Sequence, residues 1–212
     1  MSSILPHYRA LLHQLAGLTA ASQARFGAAV QCGSGCALCC HGLFDIGVLD
    51  ALALHAAWQA APAAVRDDIE ARAAALLARI AHAAPGWRYP YFLDADDDAV
   101  DQVLETVGLE ACPVLGADQR CRLYEARPFY CRVHGLKLRD RGGDADIDTD
   151  CERNFPEPPP RDAWPAFDFS GWFAAEGALI SEHGLDPDLR LLIPAVTTAR
   201  FTPYYTRWTG LR

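Results

Sequence analysis

The sequence predicts a mainly α fold organised around an irregular, cysteine-rich centre. Three observations predict it: apolar residues recur at helical spacing, glycine-broken cysteine motifs interrupt the helical stretches, and no period-2 strand ladder is visible. The 212 residues are 51% hydrophobic and 22% charged, which suits one globular domain with an ordinary core. The chain is therefore read as a single domain, 1–212, with a cysteine-cluster core at about residues 30–155 and helical extensions on either side.

Tyr8, Leu11, Leu12, Leu15, Leu18 and Phe26 recur on one face and predict a single N-terminal helix, with Pro6 suited to its first turn. The Ala/Leu-rich stretch 49–58 predicts a second helix closed by Pro62. Residues 63–83 predict a third, with Val65, Ile69, Ala73, Leu76, Leu77 and Ile80 forming its apolar stripe and Pro85-Gly86 ending it. An aromatic connector (Trp87, Tyr89, Tyr91, Phe92), an acidic run at 94–101 and a short helix at 101–109 follow. Pro128 reads as the first-turn proline of a short helix over 129–134. Residues 141–150 read as an exposed loop with a brief hairpin. An aromatic helix at 164–182 and a Leu-rich C-terminal segment complete the pattern. The aromatics Trp164, Phe167, Phe169, Trp172 and Phe173 read as core, or as cover for the cysteine region.

Composition narrows the function. No run approaches the ~18 apolar residues needed to cross a bilayer, so no membrane span is expected. The N-terminal residues lack a basic region followed by an apolar one and do not read as an export signal. A net charge of −8 argues against a dedicated nucleic-acid binder. A cytoplasmic location is therefore expected, where clustered cysteines are more often metal ligands or redox groups than disulfides.

Those cysteines are Cys32, Cys36, Cys39, Cys40, Cys112, Cys121, Cys131 and Cys151. The first four lie within nine residues, with Gly33 and Gly35 opening the backbone so that it can wrap an ion. Adjacent side chains diverge in regular backbone, so Cys39 and Cys40 are expected to point differently, one a ligand and the other packed or serving a second metal. The last four contain no CxxC pair and must arrive singly from different loops. Four plus four permits two tetrathiolate sites or one cluster with spare thiols, and that donor set suits zinc and iron–sulfur clusters alike. His41 and His134 lie beside the cysteines and read as supporting groups rather than ligands.

Residues 120–141 carry seven cations (Arg120, Arg122, Arg127, Arg132, Lys137, Arg139, Arg141) against Glu125 and Asp140. Four thiolates on one divalent ion leave a net negative charge, and Arg127 and Arg132, which flank Cys131, are candidates to offset it. Asp144, Asp146, Asp148 and Asp150 alternate, but the sixth-position Gly and terminal Glu of a calcium loop are missing. Cys32-x3-Cys36-x2-Cys39 also matches the three-cysteine motif of radical S-adenosylmethionine enzymes, whose α/β barrel this pattern does not support. CALC lies outside a βαβ context, which weakens a thioredoxin-type role.

CGSGCALCC, then CPVLGADQRCRLYEARPFYCR and a last cysteine in DCERNF, resembles the bacterial cysteine-cluster proteins of the YkgJ type, described as a zinc- or iron-chelating CxxCxxCC domain. One departure is the x3 gap after Cys32. The resemblance implies metal binding, with all eight cysteines as candidate ligands. A related cysteine region in flagellin lysine methylases implies an iron–sulfur cluster, of 4Fe-4S type, over the alternative, zinc. The expected function is a metal-binding protein, structural or electron-carrying, with a protein redox partner or substrate. The alternative is a cluster-dependent oxidoreductase or protein-modifying transferase. The sequence names no reaction, because no Ser/His/Asp group, phosphate loop or general-base pair is present.

Overall fold

A computed structural model describes residues 4–43, 45–90, 103 and 105–211, and within them the protein is mainly helical. The acidic run at 94–101, Tyr91, Phe92 and the start of the helix expected at 101–109 lie outside the described residues; 105–107 are helical and stop at Gly108.

The expected N-terminal helix is two helices, α1 (Ile4–Gln14) and α2 (Leu18–Phe26). Gly17 separates them at φ 90°, a left-handed conformation that side-chain-bearing residues avoid. The apolar positions survive the break: Tyr8, Leu11, Leu12, Leu15 and Leu18 are all buried. Helix α3 (Val48–Ala60) is buried on nearly every side, as its lack of a polar face requires, and is the central rod of the fold. Pro62 ends it and begins α4 (Ala63–Ala83), whose Ile69, Ala73, Leu76 and Ile80 face inward as expected, with Val65 and Leu77 at the margin.

The short helix is α5 (Phe129–Val133), with Pro128 just outside its first turn. Strands β2 (Lys137–Asp140) and β3 (Ile147–Asp148) pair antiparallel and confirm the brief hairpin across 141–150. The aromatic helix begins later than its composition predicts. Ala166–Phe167 form β4, parallel to β2, and α6 runs Phe169–Glu182. Two carboxylates set that start. Asp168 accepts from the Gly171 N–H at 2.9 Å, while Asp140 accepts from Phe169 N at 2.9 Å, Ser170 N at 3.2 Å and the Ser170 hydroxyl. These bonds hold the Asp140 carboxyl well below the usual range.

Two-residue strands β1 (Asp45–Ile46) and β5 (Leu191–Leu192) pair antiparallel, and α7 (Ile193–Val196) and α8 (Thr202–Thr209) close the chain over α3 and α4. His55 links these elements. Its Nδ1 donates to Val196 O at 2.7 Å, and its ring packs on Trp58, Phe201 and Tyr205, where burial pushes its pKa down to about 4. The expected aromatic core is present: Phe129 packs against Trp172 at 4.7 Å and Phe173 at 5.2 Å. Trp172 Nε1 also donates at 2.9 Å to Leu11 O, a carbonyl at the end of α1 that its own helix leaves unpaired.

One buried carboxylate joins three of these helices. Asp50, on α3, accepts from the Tyr8 hydroxyl of α1 at 2.7 Å and from the Phe129 N–H of α5 at 3.0 and 3.2 Å. Burial pushes its pKa up to about 6, against the opposing pull of these donors and of Arg132. Glu176 of α6 shares the Tyr8 hydroxyl and is pushed up to about 7 by burial and by Asp50.

Asp50→Ala leaves the Phe129 N–H buried without an acceptor and takes one acceptor from the Tyr8 hydroxyl, and should cost about 2–5 kcal/mol, read from denaturant unfolding. Both raised carboxyls bind protons in the folded state that the unfolded chain has released. Their contribution is complete below about pH 4 and is lost as pH rises through about 6 to 7, on the order of 1.4 kcal/mol per pKa unit displaced. His55 acts in the opposite sense, since its lowered pKa favours the folded state above about pH 6. Asp50→Asn should therefore remove part of the loss between pH 4 and 7 while leaving the His55 contribution intact. An unfolding free energy whose pH slope is the same in the wild type and this variant would contradict the assignment.

Candidate functional site

The first cysteine block is an irregular loop rather than a helix. Cys36 N donates to Gly33 O at 3.0 Å around Gly35, which lies at φ 88°, and residues 38–40 make one tight 3-10 turn. Cys39 and Cys40 both lie in that turn, and the chain leaves it extended at His41. The backbone next pairs with the second block: Cys112 N donates to Cys40 O at 2.7 Å, Gly42 N to Glu110 O at 2.8 Å, and His41 bridges Ala111. Residues 112–122 then fold back on themselves through Arg122 N to Val114 O, 3.0 Å, and the Leu115–Cys121 bridge. Cys131 rides on α5, whose first N–H is held by Asp50.

Cys151 and Cys32 meet through Asn154, a buried side chain that the sequence reading did not single out. Its Oδ1 accepts from Gln31 N at 2.9 Å, and its Nδ2 donates to Gly135 O at 2.7 Å and Cys32 Sγ at 3.1 Å. Its own N–H donates to Cys151 O at 3.0 Å. The signal was present in DCERNF, three residues past the last cysteine, but a lone Asn announces no such bond.

All eight cysteines are reduced and half-buried. Burial pushes the Cys32, Cys112, Cys121 and Cys131 thiols up, Cys112 to about 11 and Cys131 higher still. The Cys39 thiol is pushed up furthest, first by its contact with Cys40 and then by burial. Cys32 is raised further by Cys151, Cys36 and Cys39, and Cys131 by Cys112, Cys39 and Cys121. Cys39 thus acts on thiols of both blocks. Among the described residues, no three His, Cys, Asp or Glu side chains stand close enough to share one metal ion.

Arg127 and Arg132 sit where the sequence places them. Arg132 donates to Arg127 O at 2.9 Å and Glu125 O at 2.6 Å, clasping the turn before α5, and the Arg127 guanidinium lies 3.7 Å over the Tyr124 ring. Both favour the Cys121 thiolate, and Arg127 that of Cys39. Arg72 of α4, absent from the sequence reading, does the same for Cys112 and donates to Leu115 O at 2.6 Å. The other cations of that run include structural ones. Lys137 pairs with Asp148 and Asp150 across the hairpin, and Asp146 with Arg161, so these aspartates have partners within the protein. His41 donates from Nδ1 to Ala37 O at 3.0 Å, while His134 lines a cavity of about 220 Å³ with Cys39, Cys131 and Tyr130.

Comparison with family models, with curated proteins and with solved structures finds no match. The site stands on its own residues.

Gly135 limits what that site tolerates. It lies at φ 72°, and a Cβ there would meet Cys151 Cβ at 2.5 Å and Asn154 Nδ2 at 3.2 Å. Gly135→Ala should cost about 2–4 kcal/mol by backbone strain plus overpacking. It should also free Cys151 to react faster with a thiol reagent, while Gly143→Ala, where a Cβ has room, should change neither.

Proposed function

We propose that this chain is a metal-binding protein of the cysteine-cluster kind, holding an iron–sulfur cluster with a structural or electron-carrying role in a reducing cytoplasm. The observation that carries the reading is the meeting of the two blocks: Cys112 N donates to Cys40 O at 2.7 Å, and Cys39 lines one cavity with Cys131. The donor set suits the group: eight reduced sulfurs from five stretches of chain, with no competing disulfide among them. Ligands would be drawn from Cys32, Cys36, Cys39, Cys40, Cys112, Cys121, Cys131 and Cys151. Since no three of them stand in a ligating group here, uptake requires thiols to turn from their present positions.

A bound cluster would supply one-electron transfer; zinc, the alternative for the same donors, would supply a cross-link alone. The protein's own residues supply charge compensation. Arg72, Arg127 and Arg132 act on Cys112, Cys39 and Cys121, and Asn154 donates to the Cys32 sulfur, as sulfur ligands of a negatively charged centre require. The cavity beside Cys39 and Cys131, at about 220 Å³, is smaller than the ~300–1,000 Å³ of small-molecule sites, so no substrate is assigned to it.

Protein purified without oxygen should be brown and contain iron and acid-labile sulfide in comparable amounts. Colourless protein with stoichiometric zinc would replace the cluster with the alternative, and protein binding neither would overturn the proposal. Cys39→Ser should lose most of the metal, whereas Cys40→Ser should retain more of it, because Cys39 lines one cavity with Cys131 of the other block. Metal content of the two variants, measured side by side, checks this; equal loss from both would make the adjacent pair a shared ligand.

A further inference from the structure

Between α1, α3 and the turn at 121–126 lies a half-open cavity of about 640 Å³. Its volume falls within the ~300–1,000 Å³ typical of small-molecule sites. The floor is apolar, formed by Leu12, Ala53, Ala57 and Leu123. The wall is basic: Arg9 and His13 stand one turn apart on α1, with Arg122 and Arg132 on the other side, and Glu125 is the one acid among the described lining residues. That local excess is opposite in sign to the −8 of the whole chain.

The guanidinium groups there are not fully used. Arg122 gives Nη2 to Asp68 at 2.5 Å, but its Nε is buried with no partner among the described residues. Arg127 does not line the cavity, but it stacks on Tyr124, which does, and its buried Nε also has no partner among the described residues. Arg132 spends its Nε and Nη2 on the carbonyls of Arg127 and Glu125, so it contributes charge and fixes the wall. Buried charged donors without acceptors are rare in native proteins, and an entering anion supplies what they lack.

We infer that this cavity binds a small organic anion, a flat apolar body carrying one carboxylate, sulfonate or phosphate group. The apolar floor takes the body, and Arg9 and His13 on one side with Arg122 on the other take the charge. Cys121 lines the same cavity, but the inference does not rest on metal binding.

The test uses the full chain, as purified and after chelation, titrated with anilinonaphthalene sulfonate and followed by fluorescence. Saturation at one probe per chain is expected in both preparations, with far weaker binding of N-phenylnaphthylamine, which lacks the sulfonate. The double variant Arg9→Glu/His13→Glu changes two exposed side chains and should weaken the sulfonate probe about tenfold or more without altering the melting curve. Ala16→Trp, also at an exposed position on the rim, should block both probes by filling the cavity at unchanged charge. Unsaturable binding, equal affinity for the neutral probe, or sulfonate binding indifferent to either variant would overturn the site. If the site is confirmed while metal analysis finds no bound metal, the metal reading alone falls.

Discussion

The Asp50 carboxylate is the interaction on which the rest of this structure hangs. It is buried on the central helix, and its oxygens serve a tyrosine hydroxyl from the first helix and the leading N–H of the short helix that carries Cys131. A carboxylate removed from water is costly unless its lone pairs are met, so the three elements hold one another at fixed separations. Glu176, sharing the same tyrosine, adds a second carboxyl from α6. Burial lifts both carboxyls above the usual carboxylate range, and the Asp50 charge raises Glu176 further.

From that anchor the cysteine region is built by backbone pairing more than by packing. Cys40 to Cys112, Gly42 to Glu110 and Leu115 to Cys121 place the two blocks edge to edge, while Asn154 draws the last cysteine loop against Cys32 and Gly135. The helical core beside it is continuous without any thiol: Tyr8, Leu49, Leu52, Phe129, Phe169 and Trp172 form one cluster, against which Cys32, Cys112 and Cys121 pack at the margin. Each large side chain in that cluster contributes roughly 1.5–3 kcal/mol on leaving water. A ligand bound to the thiols would therefore stiffen the loops, on a scaffold whose apolar core is independent of it.

Much of this was legible. Pro62 fixed both the end of α3 and the start of α4, because a proline stops one helix and suits the threshold of the next. The stripe Ile69, Ala73, Leu76 and Ile80 gave the buried face of α4 correctly. Local pattern misled where a single residue's backbone conformation decided, as at Gly17, which splits a continuous apolar face into two helices. It misled again at 164–168, where aromatic density suggested a helix but Ala166 and Phe167 pair with β2 and two aspartates set the helix start beyond them. The cysteines and their flanking arginines could be named from spacing. Asp50, Arg72 and Asn154 could not, since each acts through at least one partner 41 or more residues away in the sequence.

The protonation of the thiols follows from the same low-dielectric setting. Ionising several half-buried sulfurs together would place like charges side by side, and Arg72, Arg127 and Arg132 are too few to neutralise them all. Cys32, Cys39, Cys112, Cys121 and Cys131 are therefore held toward the neutral thiol. Neutral thiols have little reason to converge, because S–H groups are weak donors and sulfur a weak acceptor. Under the proposed function, a bound cation would repay the loss of those protons by drawing sulfurs together. The raised thiol pKa values, the arginines beside Cys39, Cys112 and Cys121, and the absence of a ligating triad among the described residues are in that sense one condition: under the proposed function, the donor set would be assembled by the ion, with proton release as its counterpart.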